Sequence, residues 1–365
     1  MSRVVLLGAG EAHLFVLDAI RRGRLKGADV TFVAPEGSEP WPPMVAGIVA
    51  GRYRAEEATP DMARLAGAAG VRRMPALPDS IDAASRTLRI PGAGPIEWDV
   101  LSVALPPEPD AGPGAFLPAR PGSRAIEIPA RLEALAREGQ GLSVVIVGAG
   151  LRGLEMACAI RARLDRMERT DDRVTIVERQ GQLLPAFSEA AARAAERAIV
   201  RRRIGIATGT TVTGADGQGI RFGHGGSARA DLVVWAGDAV AAPILGGSGL
   251  ETDERGMIIT GPGLRSVSHP SVFASGGSGR IREGNGADRR TRPARRDAMA
   301  LLKGLASALR GDFSSTHRPT RPVATFLDTG DGRALVFGKS LAVHSTAALF
   351  LKERRDRELM QRLRA

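Results

Sequence analysis

A chain of 365 residues is longer than one typical core and points to two or three domains. Its one cysteine, Cys158, excludes an intrachain disulfide and any chemistry that needs a redox-active cysteine pair, and it fits a reducing, cytoplasmic compartment. The formal net charge of +11 favours anionic ligands or surfaces, but aromatic residues at 4% leave no stacking platform for a nucleic acid.

Residues 3–33 read as strand, turn, helix and strand. Arg3-Val4-Val5-Leu6-Leu7 is apolar and β-branched, Gly8-Ala9-Gly10 is a turn, residues 11–22 carry Leu14, Leu17 and Ile20 at helical spacing, and Asp29-Val30-Thr31-Phe32-Val33 is a second strand. A Pro- and Gly-rich crossover spans 105–123. The same order then recurs at 143–178, a weak duplication at a distance of about 140 residues that suits a repeated domain rather than a solenoid. Further on come an arginine-rich helix at 185–204, a strand at Leu232-Val233-Val234-Trp235 and short strands ending at Val272-Phe273-Ala274. A basic, Gly-rich stretch at 280–296 precedes a helix at 297–311. The tail predicts strands at 324–327 and 334–337 joined by a hairpin at Gly330-Asp331-Gly332, then a helix from about Ala347. No run approaches the length of a membrane span, no secretory pattern opens the chain, and the five histidines lack metal-ligand spacing, so no metal site is expected.

The two glycine turns carry the chemistry. In G-x-G-x-x-G the first Gly makes a tight turn, the second lets a pyrophosphate approach the backbone, and the third lets helix and strand pack closely. The helix N-terminus then presents free N–H groups to phosphate. The second fingerprint, Gly148, Gly150 and Gly153, is complete. Glu178 closes its following strand, where a carboxylate accepts from ribose hydroxyls and repels a 2′-phosphate, favouring NADH; Arg179 beside it weakens that preference. The first fingerprint, Gly8 and Gly10, has His13 in the third position and Glu11 where pyrophosphate would lie. Its ribose-acid position is Ala34, with Glu36 two residues beyond.

Gly8-Ala9-Gly10-Glu11-Ala12-His13-Leu14, the Trp41–Tyr53 segment, Asp99-Val100-Leu101-Ser102, the second fingerprint, the segment Leu264–Ala274, Thr329–Ala334 and Leu351-Lys352…Asp356-Arg357…Met360 together resemble the pyridine nucleotide-disulfide oxidoreductase superfamily. Within it the chain is similar to the flavoprotein module often fused to selenide, water dikinase, a relative of type II NADH dehydrogenases. The resemblance implies an α/β fold of two Rossmann-like, three-layer dinucleotide-binding domains, the first discontinuous, plus a small C-terminal α+β segment. The expected bounds are 1–122 with 258–312 for the FAD-type domain, 123–257 for the NAD(P)-type domain and 313–365 for the tail. FAD is expected at Gly8, Gly10, His13, Met44, Gly276 and Gly277, and NAD(P)H, with NADH preferred, at Gly148, Gly150, Gly153 and Glu178. The resemblance further implies that hydride passes from the nicotinamide through flavin to a small-molecule or quinone acceptor, with Glu155 matching the acidic residue near the nicotinamide–flavin contact.

Departures from the pattern fall on the flavin side. Gly277 stands where an Asp binds the ribityl hydroxyls, Pro42-Pro43 replaces a Ser-Gly pair, and the crossover Leu105-Pro106-Pro107-Glu108-Pro109 lacks a Gly-Ser turn. Arg289, Arg290, Arg292, Arg295 and Arg296 crowd the segment beside the expected flavin ring, and Trp235-Ala236-Gly237-Asp238 replaces an Ala-Thr-Gly turn. These losses keep open an alternative: a flavin-poor, non-redox descendant that binds a nucleotide or another anionic ligand. The basic helix at 345–363, with Leu349, Leu359 and Leu363, fits a peripheral membrane contact, docking on the domain pair or a homodimer contact.

Overall fold

A computed structural model describes residues 1–37, 39–111, 114–139, 141–282, 294–314, 324–338 and 342–364. The arginines at 289, 290 and 292, and the side chain of Arg295, lie outside the described residues.

The first sheet is wholly parallel, in the order Val272–Ala274, Val100–Val103, Ser2–Leu7, Ala28–Ala34, Arg72–Pro75. Its central strand buries Val4, Val5, Leu6 and Leu7, as a strand covered on both faces must. The helices Glu11–Arg21 and Ala294–Ala308 pack together on one face. The second sheet repeats the plan, in the order Gly205–Ala207, Arg173–Val177, Ser143–Val147, Leu232–Trp235, Leu117–Pro118. Leu117–Pro118, which the sequence reading puts in the first unit, pairs here with Val234 and Trp235. Each sheet thus has its fingerprint strand between the ribose-acid strand and a later crossover strand, the switch point where α/β sheets bind ligands at the strands' carboxyl ends.

The tail forms an antiparallel sheet of Thr325–Asp328, Ala334–Phe337 and Ala342–Ser345. The sequence pattern does not predict the third of these strands. The final helix, Thr346–Arg364, docks on the protein and buries Ala348, Leu349, Lys352, Asp356, Met360 and Leu363 at three- to four-residue spacing. Its inward stripe is therefore part charged, which hides it from a reading based on leucines alone. Among the described residues no helix is long and apolar enough to cross a membrane.

Candidate active site

The two fingerprint turns share a backbone but differ in what surrounds them. Gly8 and Gly148 both adopt positive φ, +93° and +103°, which only glycine takes without strain. Gly8 N donates to Val33 O and Gly148 N to Val177 O, each at 2.8 Å, so each turn is tied to the end of its ribose-acid strand. In the second turn a Cβ on Gly153 would lie 1.9 Å from Gly148 O, which fixes Gly153 as the close-packing glycine. A Cβ on Gly150 would meet nothing within 4 Å. No intramolecular packing explains that glycine, whereas a phosphate at the helix N-terminus does. In the first turn a Cβ on Gly10 would lie 2.5 Å from Ala104 O, so the chain's own packing already requires that glycine.

His13 occupies the third-glycine position and is completely buried. One ring nitrogen bonds Gly8 O at 2.7 Å and the other bonds Ser102 Oγ at 2.8 Å. Burial pushes its pKa down to about 4, so the ring is neutral. His13 therefore lies behind the turn with both ring nitrogens engaged, leaving neither for a cofactor, and its hydrogen bonds position the turn. The close Gly–carbonyl approach of the second fingerprint becomes a hydrogen bond in the first. Glu11 opens the helix, and burial raises its carboxyl pKa against the pull of Arg152 and Arg120.

Glu178 ends its strand as expected, but its carboxylate is buried and engaged: Oε2 accepts from Ala149 N at 2.7 Å and Oε1 from Gln180 N at 2.9 Å. A carboxylate has about four acceptor positions, so capacity for ribose hydroxyls remains. Arg179 turns away to pair with Asp238 at 2.7 Å.

Glu155 lies on the helix Leu151–Arg166, nearly one turn beyond Arg152, inside the junction of the two halves and the tail. Burial pushes its carboxyl up to about 7, against the pull of Lys352 and Arg152. Its Oε1 accepts from Asp328 N at 3.4 Å. Lys352 is buried beside it, donating to Asp356 Oδ2 at 3.0 Å and to Pro43 O at 2.5 Å. Asp356 also accepts from Trp41 Nε1 at 3.2 Å, and Arg52 bonds Asp328 and Glu353. Pro42 and Pro43 begin the helix Pro42–Val49, where the missing N–H groups have no intrahelical role. Met44 is fully buried in that helix. Lys352 and Asp356 take part in the sequence resemblance but carry no role there; their four-residue spacing in a buried stripe is the available signal.

On the flavin side Gly276 and Gly277 form a short 3₁₀ turn. Gly276, at φ +60°, faces open space, and Ser275 Oγ beside it is buried without a hydrogen-bond partner. A Cβ on Gly277 would lie 2.5 Å from Pro107 Cδ. Ser278 Oγ accepts from Leu105 N at 2.8 Å, fastening the crossover to this turn.

The chain matches the family model for pyridine nucleotide-disulphide oxidoreductases over residues 2–287 and belongs to that family. It is an NAD(P)H oxidoreductase of a class whose cofactors are FAD and NADH. It is 27% identical over 305 residues to an NADH dehydrogenase-like protein of Mycobacterium tuberculosis, covering 76% of this chain and 72% of the relative. It is 23% identical over 308 residues to a demethylphylloquinone reductase of Synechocystis, covering 78% and 73%. In fold it is similar to the sulfide:quinone oxidoreductase of Aquifex aeolicus, with a TM-score of 0.84 at 14% identity over 100% of this chain and 92% of that one. It is also similar to NDH2 of Plasmodium falciparum in complex with NADH, with a TM-score of 0.78 at 12% identity over 99% and 97%.

The residues fit the two cofactors unequally. The open Gly150 turn and Glu178 fit a pyridine dinucleotide. The first turn, the unpartnered Ser275 Oγ and the open Gly276 fit FAD, but position 277 supplies no carboxylate for the ribityl chain.

Proposed function

We propose that this protein is an FAD-dependent NAD(P)H oxidoreductase that takes electrons from NADH and delivers them to a quinone or another small-molecule acceptor. The carrying observation is Gly150: a glycine that packing does not need, at a helix N-terminus beside a strand that ends in Glu178. The names of the relatives, an NADH dehydrogenase-like protein and a demethylphylloquinone reductase, support the donor and the acceptor class. Cys158 has no cysteine partner in the sequence and its buried thiol is pushed up to about 12, which argues against cysteine-based chemistry.

In this reading FAD bound in the first half, at Gly8, Gly10, Met44, Gly276 and Gly277, would supply the two-electron relay between dinucleotide and acceptor. The turn Gly148 to Gly153 and the helix N-terminus bind the dinucleotide pyrophosphate, and Glu178 accepts from the adenosine ribose. Glu155, with its carboxyl raised to about 7, exchanges a proton near neutral pH and orients the nicotinamide. Lys352 balances the charge of that junction through Asp356 and Glu155. The units divide near 1–122 with 258–312, 123–257 and 313–365, with Leu117–Pro118 contributed to the second sheet. Phe350 and Leu351, 67% and 48% exposed ahead of Arg354, Arg355 and Arg357, are the part of the final helix that would meet a membrane surface. Purified protein titrated with FAD and then NADH tests the reading: a bound, yellow flavin that NADH bleaches supports it, and a preparation that binds no FAD refutes it.

Two observations favour a second reading. Pro107 fills the space a side chain at Gly277 would need, and Glu11 puts a carboxylate at the expected pyrophosphate. Together they suit a flavin-poor descendant that keeps only the second nucleotide site. NADH binding without FAD binding is its signature.

A further inference from the structure

The ion pair between Arg179 and Asp238 lies along the track a dinucleotide would take. Val147 pairs with Val177 on one side and with Trp235 on the other. The ends of the strands Arg173–Val177 and Leu232–Trp235 are thus two strand spacings apart, roughly 10 Å, with the fingerprint turn between them. Arg179 leaves the first end and Asp238 follows the second, yet their side chains meet at 2.7 Å. The contact therefore spans the rim at Gly148, where a Cβ would lie 2.7 Å from Gly237 Cα. A dinucleotide in this fold runs the same course, from the ribose acid across the fingerprint turn to the crossover strand.

Two further observations bear on it. Asp238 is held on its other side by Arg255, at 3.0 Å, so it is the fixed member. Arg179 is 55% exposed against 14% for Asp238, and is the member at the solvent edge.

We propose that Asp238 and Arg179 set the choice between NADH and NADPH, an inference that rests on the second half being a pyridine dinucleotide site. Arg179 follows Glu178 directly, so its guanidinium is the basic group next to the adenosine ribose, where an arginine accommodates a 2′-phosphate. Asp238 withholds it. Glu178, anchored on Ala149 N and Gln180 N, then meets the ribose without a neighbouring cation, and NADH is preferred. Releasing Arg179 reverses the electrostatics at the 2′ position.

The test is calorimetric titration of the full-length protein, with and without Asp238→Asn, against NADH and NADPH. Asp238→Asn is expected to tighten NADPH by about tenfold or more, from new charge-assisted bonds to the 2′-phosphate, and to change NADH by less than about fivefold. The double variant Asp238→Asn with Arg179→Gln returns the NADPH to NADH ratio to the wild-type value, which separates Arg179 from the also released Arg255. Arg179→Gln alone, at a half-exposed position, guards against misfolding of the Asp238 variant and leaves the wild-type preference for NADH in place. If wild-type protein binds NADH and Asp238→Asn leaves the ratio unchanged, the inference is overturned while the dinucleotide site stands. If wild-type protein binds neither nucleotide, both fall.

Discussion

Pro107 and Gly277 occupy one another's space. They are far apart in sequence, and a Cβ added at Gly277 would fall 2.5 Å from Pro107 Cδ and 2.8 Å from its Cγ. The proline in the crossover and the glycine in the flavin-side turn are thus one structural change. Restoring the ribityl carboxylate needs both positions. Gly277→Asp alone is expected to destabilise the fold by about 1–3 kcal/mol through overpacking, with no gain in FAD affinity. Gly277→Asp combined with Pro107→Gly is expected to tighten FAD by about ten- to a hundredfold, the worth of one charge-assisted hydrogen bond. Fluorescence titration of FAD against both variants measures the difference.

Glu155 gives the protein a pH dependence of defined sign. Its carboxyl is raised from an ordinary 4.5 to about 7, so the folded state holds a proton that the unfolded state releases. Stability from this group is intact below about 4.5 and is lost as pH rises to about 7, on the order of 3 kcal/mol across that window. Glu155→Gln removes the slope, and its melting temperature relative to wild type is expected to climb from pH 4.5 to 7 and then level off. In the same variant the NADH-driven rate is expected to lose its break near pH 7.

His13 behaves in the opposite sense. Its pKa falls from 6.5 to about 4 because the buried ring resists charge, so its contribution is full above pH 6.5 and fades as pH falls toward 4. His13→Ala leaves Ser102 Oγ and Gly8 O without their buried partner and opens a cavity. A loss of about 3 kcal/mol is expected at pH 7 by denaturant unfolding, and a smaller loss at pH 4.

Lys352 fastens the final helix to the site. Lys352→Met strips Asp356 and Pro43 O of a buried donor, and a loss of about 3–5 kcal/mol is expected. Because Lys352 also draws the Glu155 pKa down, the variant's Glu155 is expected to titrate above 7, as read by infrared difference spectra of the carboxyl. Replacing both partners, Lys352→Met with Asp356→Leu, is expected to recover part of the stability.

The sheets and both turns are legible in the sequence because each rests on local pattern. Arg3 to Leu7 and Ser143 to Val147 are apolar runs, followed at once by Gly8-Ala9-Gly10 and Gly148-Ala149-Gly150. Glu178 is legible for the same reason, at the end of the strand that follows its turn, whereas Glu155 stands out only through the family resemblance. What stays hidden depends on contacts between distant residues. His13 reads as a failed glycine until Ser102, 89 residues away, is seen against its ring. Lys352 and Asp356 read only as matched positions on a basic helix, with no role, until Pro43 and Trp41 are found beside them. Arg179 reads as a weakened NADH preference until Asp238 is seen to hold it.

The most direct test of the central claim is anaerobic mixing of FAD-reconstituted protein with NADH, followed by its visible absorbance. An NAD(P)H oxidoreductase with flavin in its first half predicts a yellow protein that bleaches on adding NADH and recovers its colour with a quinone. A protein that stays colourless after FAD is added, or a yellow one that NADH leaves unbleached, contradicts it.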